Sequence, residues 1–122
     1  MERALPPEDI TPHDFFTRWV PQAVAGDASR RERLGDTDAT IEFRIEGYEG
    51  EGGNVFAIRV HEGVVSAKPG EVSEAQLRVR VALETWRALN RGDTAAPQAV
   101  LSRKLKLEGD FLLGLKLHLI LS

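Results

Sequence analysis

Thr40–Leu83 reads TIEFRIEGYEGEGGNVFAIRVHEGVVSAKPGEVSEAQLRVRVAL. Four short runs alternate apolar with polar residues, and glycine, proline or acidic residues separate them. In Thr40–Glu46, Ile41, Phe43 and Ile45 alternate with Glu42, Arg44 and Glu46, the period of a half-buried strand. Gly47–Asn54 (GYEGEGGN) reads as a turn. Asn54–His61 repeats the pattern, with Phe56, Ile58 and Val60 on one face and Arg59 and His61 on the other. Glu62-Gly63 is a two-residue connection of hairpin type, Val64–Lys68 returns as a short third strand, and Pro69-Gly70 closes it. Ala75–Leu83 is the clearest strand: Leu77, Val79, Val81 and Leu83 face inward while Gln76, Arg78 and Arg80 face outward.

Downstream the period lengthens. Glu84–Asn90 holds Trp86 and Leu89 at helical spacing, and Gly92 is placed to end the helix. Thr94 is a candidate cap for a second helix, Ala95–Ser102. Lys104–Glu108 (KLKLE) alternates again as a fifth strand, and Asp110 is a candidate N-cap for a last helix. Upstream, Thr11 precedes Pro12 and stands three residues before Asp14, the start signal of a helix. Phe15, Phe16, Trp19, Val20, Ala23 and Val24 follow as one apolar stripe, and Pro21 predicts a break or kink near Val20. Residues 26–38 (GDASRRERLGDTD) read as a loop with one short helix. Residues 1–9 read as a flexible arm and 10–122 as one domain. Five strands, three of them consecutive, with about four helices predict an α+β domain. Its sheet is mostly antiparallel, with helices on one face. Glu42, Arg44, Glu46, Arg59, Arg78 and Arg80 would line the opposite, water-facing side.

A length of 122 residues suits a single domain able to bury a core without staples. With 42% hydrophobic and 29% charged residues, the chain is neither disordered nor built to span a bilayer. Its longest greasy segment, Phe111–Leu121, has 11 positions, where a spanning helix needs about 20. The first residues hold no long apolar run, so no secretory leader is expected. Zero cysteines exclude disulfides, thiolate metal sites and a cysteine nucleophile, and fit a cytoplasmic protein. A formal net charge of −3 argues against nucleic acid as the partner.

Eight of the eleven residues of Phe111–Leu121 are large and apolar, the exceptions being Gly114, Lys116 and His118. A helix apolar nearly all round must cover apolar surface on two sides. Three readings follow: a wholly buried core helix, a wall between the sheet and an apolar cavity, or a contact with another subunit or a membrane surface. His118, inside this helix, is a candidate polar contact for a ligand's head. Gly50-Glu51-Gly52-Gly53 lacks the Lys-Ser/Thr tail of a phosphate loop and reads as a hairpin turn. His13, His61 and His118 share no metal-ligand spacing. No nucleophile elbow and no paired carboxylates stand out, so no catalytic residues, metal or cofactor are expected. Arg44, Arg59, Arg78 and Arg80 form a strip interleaved with Glu42 and Glu46, the pattern of a solvated, charge-mixed face.

The order of these elements resembles the sterol carrier protein type-2 lipid-binding family. The likeness rests on Leu83-Glu84-Thr85-Trp86-Arg87-Ala88-Leu89-Asn90-Arg91-Gly92 and on Lys104-Leu105-Lys106-Leu107-Glu108-Gly109-Asp110 before the apolar helix. FTRWVPQA, residues 16–23, is similar to the family's first helix. The resemblance covers residues 12–121. It implies a five-stranded sheet covered by helices around an apolar tunnel, and a non-catalytic carrier of fatty acid, acyl-CoA, sterol-like or isoprenoid lipid. Carried over, the tunnel would be lined by Leu77, Val79, Val81, Trp86, Leu89, Phe111, Leu115 and Leu119. The alternative is an accessory or scaffold module, monomeric or homodimeric, that presents lipid or quinone intermediates to a separate enzyme. Transient membrane contact is compatible with both.

Overall fold

The computed structural model describes residues 6, 7 and 9–121, with side chains up to residue 116. Most of the expected arm, residues 1–9, lies outside the described residues, as do the side chains of His118 and Leu119.

Five strands form one open sheet in the order β3-β2-β1-β4-β5. They are β1 (Ala39–Glu46), β2 (Val55–His61), β3 (Val64–Pro69), β4 (Leu77–Ala82) and β5 (Leu105–Gly109). Three pairings are antiparallel and one, β1 with β4, is parallel. The register puts the apolar residues in rows. Ile41 lies between Ile58 and Leu77, and Phe43 between Phe56 and Val79. Leu107 and Leu105 continue the rows beyond Val79 and Val81. The β2–β3 connection has Glu62 at φ 50° and Gly63 at φ 77°, the pair of positive angles that a two-residue turn matching strand twist requires.

Helices pack on the apolar face. Thr11 caps α1 (Pro12–Asp14), its Oγ1 accepting from the Asp14 N–H at 3.1 Å. No break occurs at Pro21. Instead Phe15–Trp19 forms a π-helical turn in which the Val20 N–H reaches back to the Phe15 carbonyl, and α2 (Val20–Ala25) continues. Pro21 has no N–H, and its ring would crowd the preceding turn of a regular α-helix. A widened turn accommodates it without ending the helix. Phe15 and Phe16 both point into the core. α3 (Ala28–Leu34) is the short helix expected within residues 26–38, capped by Asp27. It buries Leu34 and also Arg30, whose guanidinium lies 5.3 Å over the Trp19 ring and 3.7 Å from Asp27.

α4 (Leu83–Arg91) begins where β4 ends, and Gly92 closes it in the left-handed conformation at φ 81°. α5 (Ala96–Leu101) has Ala95 at its N-cap, so Thr94 does not cap it. α6 (Phe111–Leu121) follows β5 directly, with the Leu113 N–H bonded to Asp110 Oδ1 at 3.2 Å. Gly109 between them is obligatory: at φ 114°, a side chain there would collide with the Gln76 carbonyl.

The outer face of the sheet differs from expectation at one residue. Glu42 is only 7% exposed. Residues 70–76, which carry the chain from β3 back to β4, fold across it. Its Oε2 accepts from Arg78 Nη1 at 2.9 Å and from the Val72 N–H at 3.2 Å. Arg78 in turn donates to the Val72 and Ser73 carbonyls. A carboxylate covered by backbone but supplied with charged and neutral donors is a tolerable burial. Arg44 and Arg59 remain paired at the surface with Glu71 and Asp38. Glu42→Ala is expected to cost about 1–3 kcal/mol, because it leaves the Val72 N–H and Arg78 without their acceptor. Thermal unfolding measures this. Faster hydrogen exchange at Val72 should accompany it, and an unchanged exchange rate there would refute the assignment of Glu42 as the anchor of residues 70–76.

Candidate functional site

The two layers do not fit closely everywhere. α2 and the π-helical turn lie against β3, and Phe16 packs on Phe43 and Phe56 with ring centroids 4.7 and 5.3 Å apart. Over β4 and β5 the roof consists of α4, α5 and α6, and a cavity of about 590 Å³ remains beneath it. Its sheet wall is Phe43 of β1, Leu77, Val79 and Val81 of β4, and Leu105 and Leu107 of β5. Phe15 and Phe16 close it on one side and Trp86 and Leu89 of α4 on another. Trp86 is held in place edge-on to Phe15, centroids 5.3 Å apart. Gly114 of α6 completes the wall.

The alternation of β4 explains its share of this wall. Leu77, Val79 and Val81 lie on the helix-facing side because Arg78 and Arg80 occupy the other. Polar groups come from one stretch, Asn90–Gln98, which runs from the end of α4 into α5 and includes Asn90, Arg91, Asp93, Thr94 and Gln98. The site is thus an apolar chamber with one polar end.

Of the eight residues expected to line a tunnel, Leu77, Val79, Val81, Trp86 and Leu89 lie on this wall. Phe111 and Leu115 do not: they are 64% and 55% exposed on the outer side of α6. Leu119 and the candidate head contact His118 lie outside the described side chains. The reading of α6 as a wholly buried core helix fails as well. Leu113 points into the core and Gly114 toward the cavity, while Phe111, Leu112 and Leu115 face outward. Sequence reasoning missed Phe15, Phe16, Phe43, Leu105, Leu107 and Gly114. The alternating KLKLE did mark Leu105 and Leu107. Gly114 was legible only as the one small residue in a run of large ones.

Elsewhere the chemistry-bearing residues do structural work. Gly52 of the glycine-rich turn, at φ 79°, packs against Pro69 and the His13 ring, so that turn is fastened to α1. His13 contacts Asp14 at 3.2 Å and Glu51 at 3.9 Å. Among the described residues no three His, Asp or Glu side chains are grouped to hold a metal ion. None of the described helices is long and apolar enough to cross a membrane.

An open five-stranded sheet, helices on one face and an apolar cavity between them define an α+β domain of the hollow two-layer type. The family model described as the SCP-2 sterol transfer family matches residues 20–122, and the chain belongs to that family. Similar solved structures include the sec-alkylsulfatase Pisa1 from Pseudomonas sp. (TM-score 0.66, 21% identity), of which the match covers 92% of this chain and 16% of the enzyme. This chain therefore spans about a sixth of that protein. The palmitated SCP2L2 protein of Aedes aegypti is similar at TM-score 0.63 and 19% identity, over 88% of this chain and 92% of that one. The ubiquinone synthesis protein UbiJ-SCP2 is similar at TM-score 0.56 and 14% identity, over 88% and 84%. At these identities the likeness is one of fold. No curated protein matches the chain.

Gly114 tests the cavity wall directly. A methyl group there would lie 3.3 Å from Leu107 Cδ1 and 3.7 Å from Leu77 Cδ2, both flexible side-chain ends bordering open space. Alanine removes about 0.8–1.0 kcal/mol of glycine's helix penalty. Gly114→Ala is therefore expected to raise the unfolding midpoint slightly. A clear fall would show that Leu107 and Leu77 have no room to move.

Proposed function

We propose that this domain is a non-catalytic carrier, acting in the cytoplasm, that holds a hydrophobic ligand such as a fatty acyl, sterol-like or isoprenoid lipid in the cavity between sheet and helices. The observation that carries the reading is the 590 Å³ apolar chamber, which falls within the range of ligand pockets, about 300–1,000 Å³. Membership of the SCP-2 sterol transfer family supports a lipid-binding or carrier role. Ten methylenes moved from water into such a chamber gain about 8 kcal/mol. That is comparable with the cost of association, about 4–15 kcal/mol. Binding of this kind is reversible and loose in its specificity for the tail, as a carrier requires. Leu77, Val79, Val81, Trp86 and Leu89 are the proposed contacts. The similar alkylsulfatase carries this fold as a minor part of its length, and we assign the fold no chemistry of its own here.

Native mass spectrometry of the purified protein, followed by lipid extraction, tests the reading. A bound species of lipid mass is expected. Val79→Phe separates a ligand chamber from an imperfectly packed core. In a true chamber the added ring takes ligand space, so the lipid load falls while the unfolding midpoint holds. In a packed core the same ring causes overpacking strain of about 1–3 kcal/mol.

A second reading has its own support. Leu112 and Phe111 are 76% and 64% exposed on one side of α6, a contiguous apolar face of the kind that marks interaction sites. An accessory module that docks or dimerises through α6 would cover it, and the similar ubiquinone synthesis protein is compatible with such a role. Size-exclusion chromatography across protein concentration is expected to show a concentration-dependent dimer that Leu112→Asp abolishes. A strictly monomeric, lipid-loaded protein would eliminate this reading.

A further inference from the structure

The polar end of the cavity carries a charge pair and two polar side chains that the fold leaves without partners among the described residues. Among the described residues lining the cavity, only Arg91 and Asp93 carry charge, and they are bonded to each other, Arg91 Nε to Asp93 Oδ2 at 2.8 Å. The segment that bears them is fastened by its backbone. The Gly92 N–H reaches the Leu89 carbonyl and the Asp93 N–H the Ala88 carbonyl at 2.9 Å, so the pair stands at a defined place. Beside it, Asn90 and Thr94 are half-buried on the cavity wall. Their side chains make no hydrogen bond to any described residue. An amide and a hydroxyl each supply both a donor and an acceptor. They therefore suit a head group that is itself neutral.

We propose that this end of the cavity selects lipids with an uncharged head group, an alcohol or a ketone. Asn90 and Thr94 supply the hydrogen bonds, and Asp93 withholds from carboxylates the one cation among the described residues of the wall. The proposal rests on the cavity being the lipid site. Among the described residues of the wall, a carboxylate entering the same chamber meets no cation but the paired Arg91. To reach Arg91 it must displace Asp93, and Asp93 itself repels it. An alcohol or ketone faces neither obstacle, and outside the segment Asn90–Gln98 the described wall is apolar for any tail.

Isothermal titration of the full chain with dodecan-1-ol, 2-tridecanone and dodecanoate at pH 8 compares heads on tails of similar length. The alcohol and ketone are expected to bind about tenfold more tightly than dodecanoate, the worth of one well-made hydrogen bond. In Asp93→Asn the preference should narrow by about fivefold, the upper range for an exposed ion pair, because Arg91 is released toward the carboxylate. Asn90→Leu should narrow it from the other side, by weakening the alcohol. Equal affinity of all three ligands for the unmodified chain would overturn the head-group assignment and leave the carrier reading intact. So would a preference that neither variant changes. Binding of none of the three would overturn the carrier reading and this proposal with it.

Discussion

Phe16 stands on the sheet between Phe43 of β1 and Phe56 of β2, with Phe15 edge-on to it at 5.0 Å. This contact decides where the helical layer sits. On an ideal α-helix successive positions differ by about 100°, so two adjacent aromatic residues straddle the inward direction. The π-helical turn Phe15–Trp19 opens that geometry, and Pro21 just after it gives the backbone a reason to stay open. The helix is thereby committed to the β3-β2-β1 half of the sheet. The β4–β5 half keeps an apolar wall of Leu77, Val79, Val81, Leu105 and Leu107 that α4, α5 and α6 roof without filling. The cavity is the space left by an offset roof, not a hole cut in a packed core.

The same offset accounts for the parallel pairing of β1 with β4. A chain that makes β1, β2 and β3 as consecutive antiparallel neighbours ends at one edge of the sheet. To add a strand on the other side of β1 it must cross a face. The helical face is occupied by α1, α2 and their aromatic residues, and the crossing runs over the outer face instead. Residues 70–76 make it, and Glu42 with Arg78 gives the crossing backbone its hydrogen bonds. A charge pair on the outer face is therefore tied to the placement of β4, and through β4 to the wall of the cavity.

Strands and helices were legible because their apolar periods of two and about 3.6 are written without interruption, as in Leu77–Ala82. The ends Thr11, Gly92 and Asp110 were legible because capping is local chemistry. Glu42 was misread for the opposite reason. Alternation says which face of the sheet a residue occupies, but not that seven residues 30 positions later will lie across that face. α6 shows the limit most sharply. Its composition excluded a single apolar stripe, yet three readings stayed open. The helix divides them among its faces: Leu113 to the core, Gly114 to the cavity, Phe111, Leu112 and Leu115 outward. Phe111 and Leu115 could be assigned to a tunnel only by assuming which arc faced the sheet, and no local pattern encodes the rotation of a uniformly apolar helix.

That rotation is set instead by the glycine. α6 must come close to β4 and β5, because Gly109 and Asp110 tie its start to Gln76 through the Asp110 N–H bond of 2.8 Å. The arc nearest the sheet therefore carries the smallest side chain, with Leu113 beside it filling the core. Any large residue at position 114 would occupy the chamber or push the helix outward. The outward leucines then follow from the inward glycine rather than from any separate requirement. They lie on the far side of the same short helix that bounds the cavity. The cavity wall and the exposed apolar face are thereby two faces of one element, and the side chain at position 114 sets the position of both.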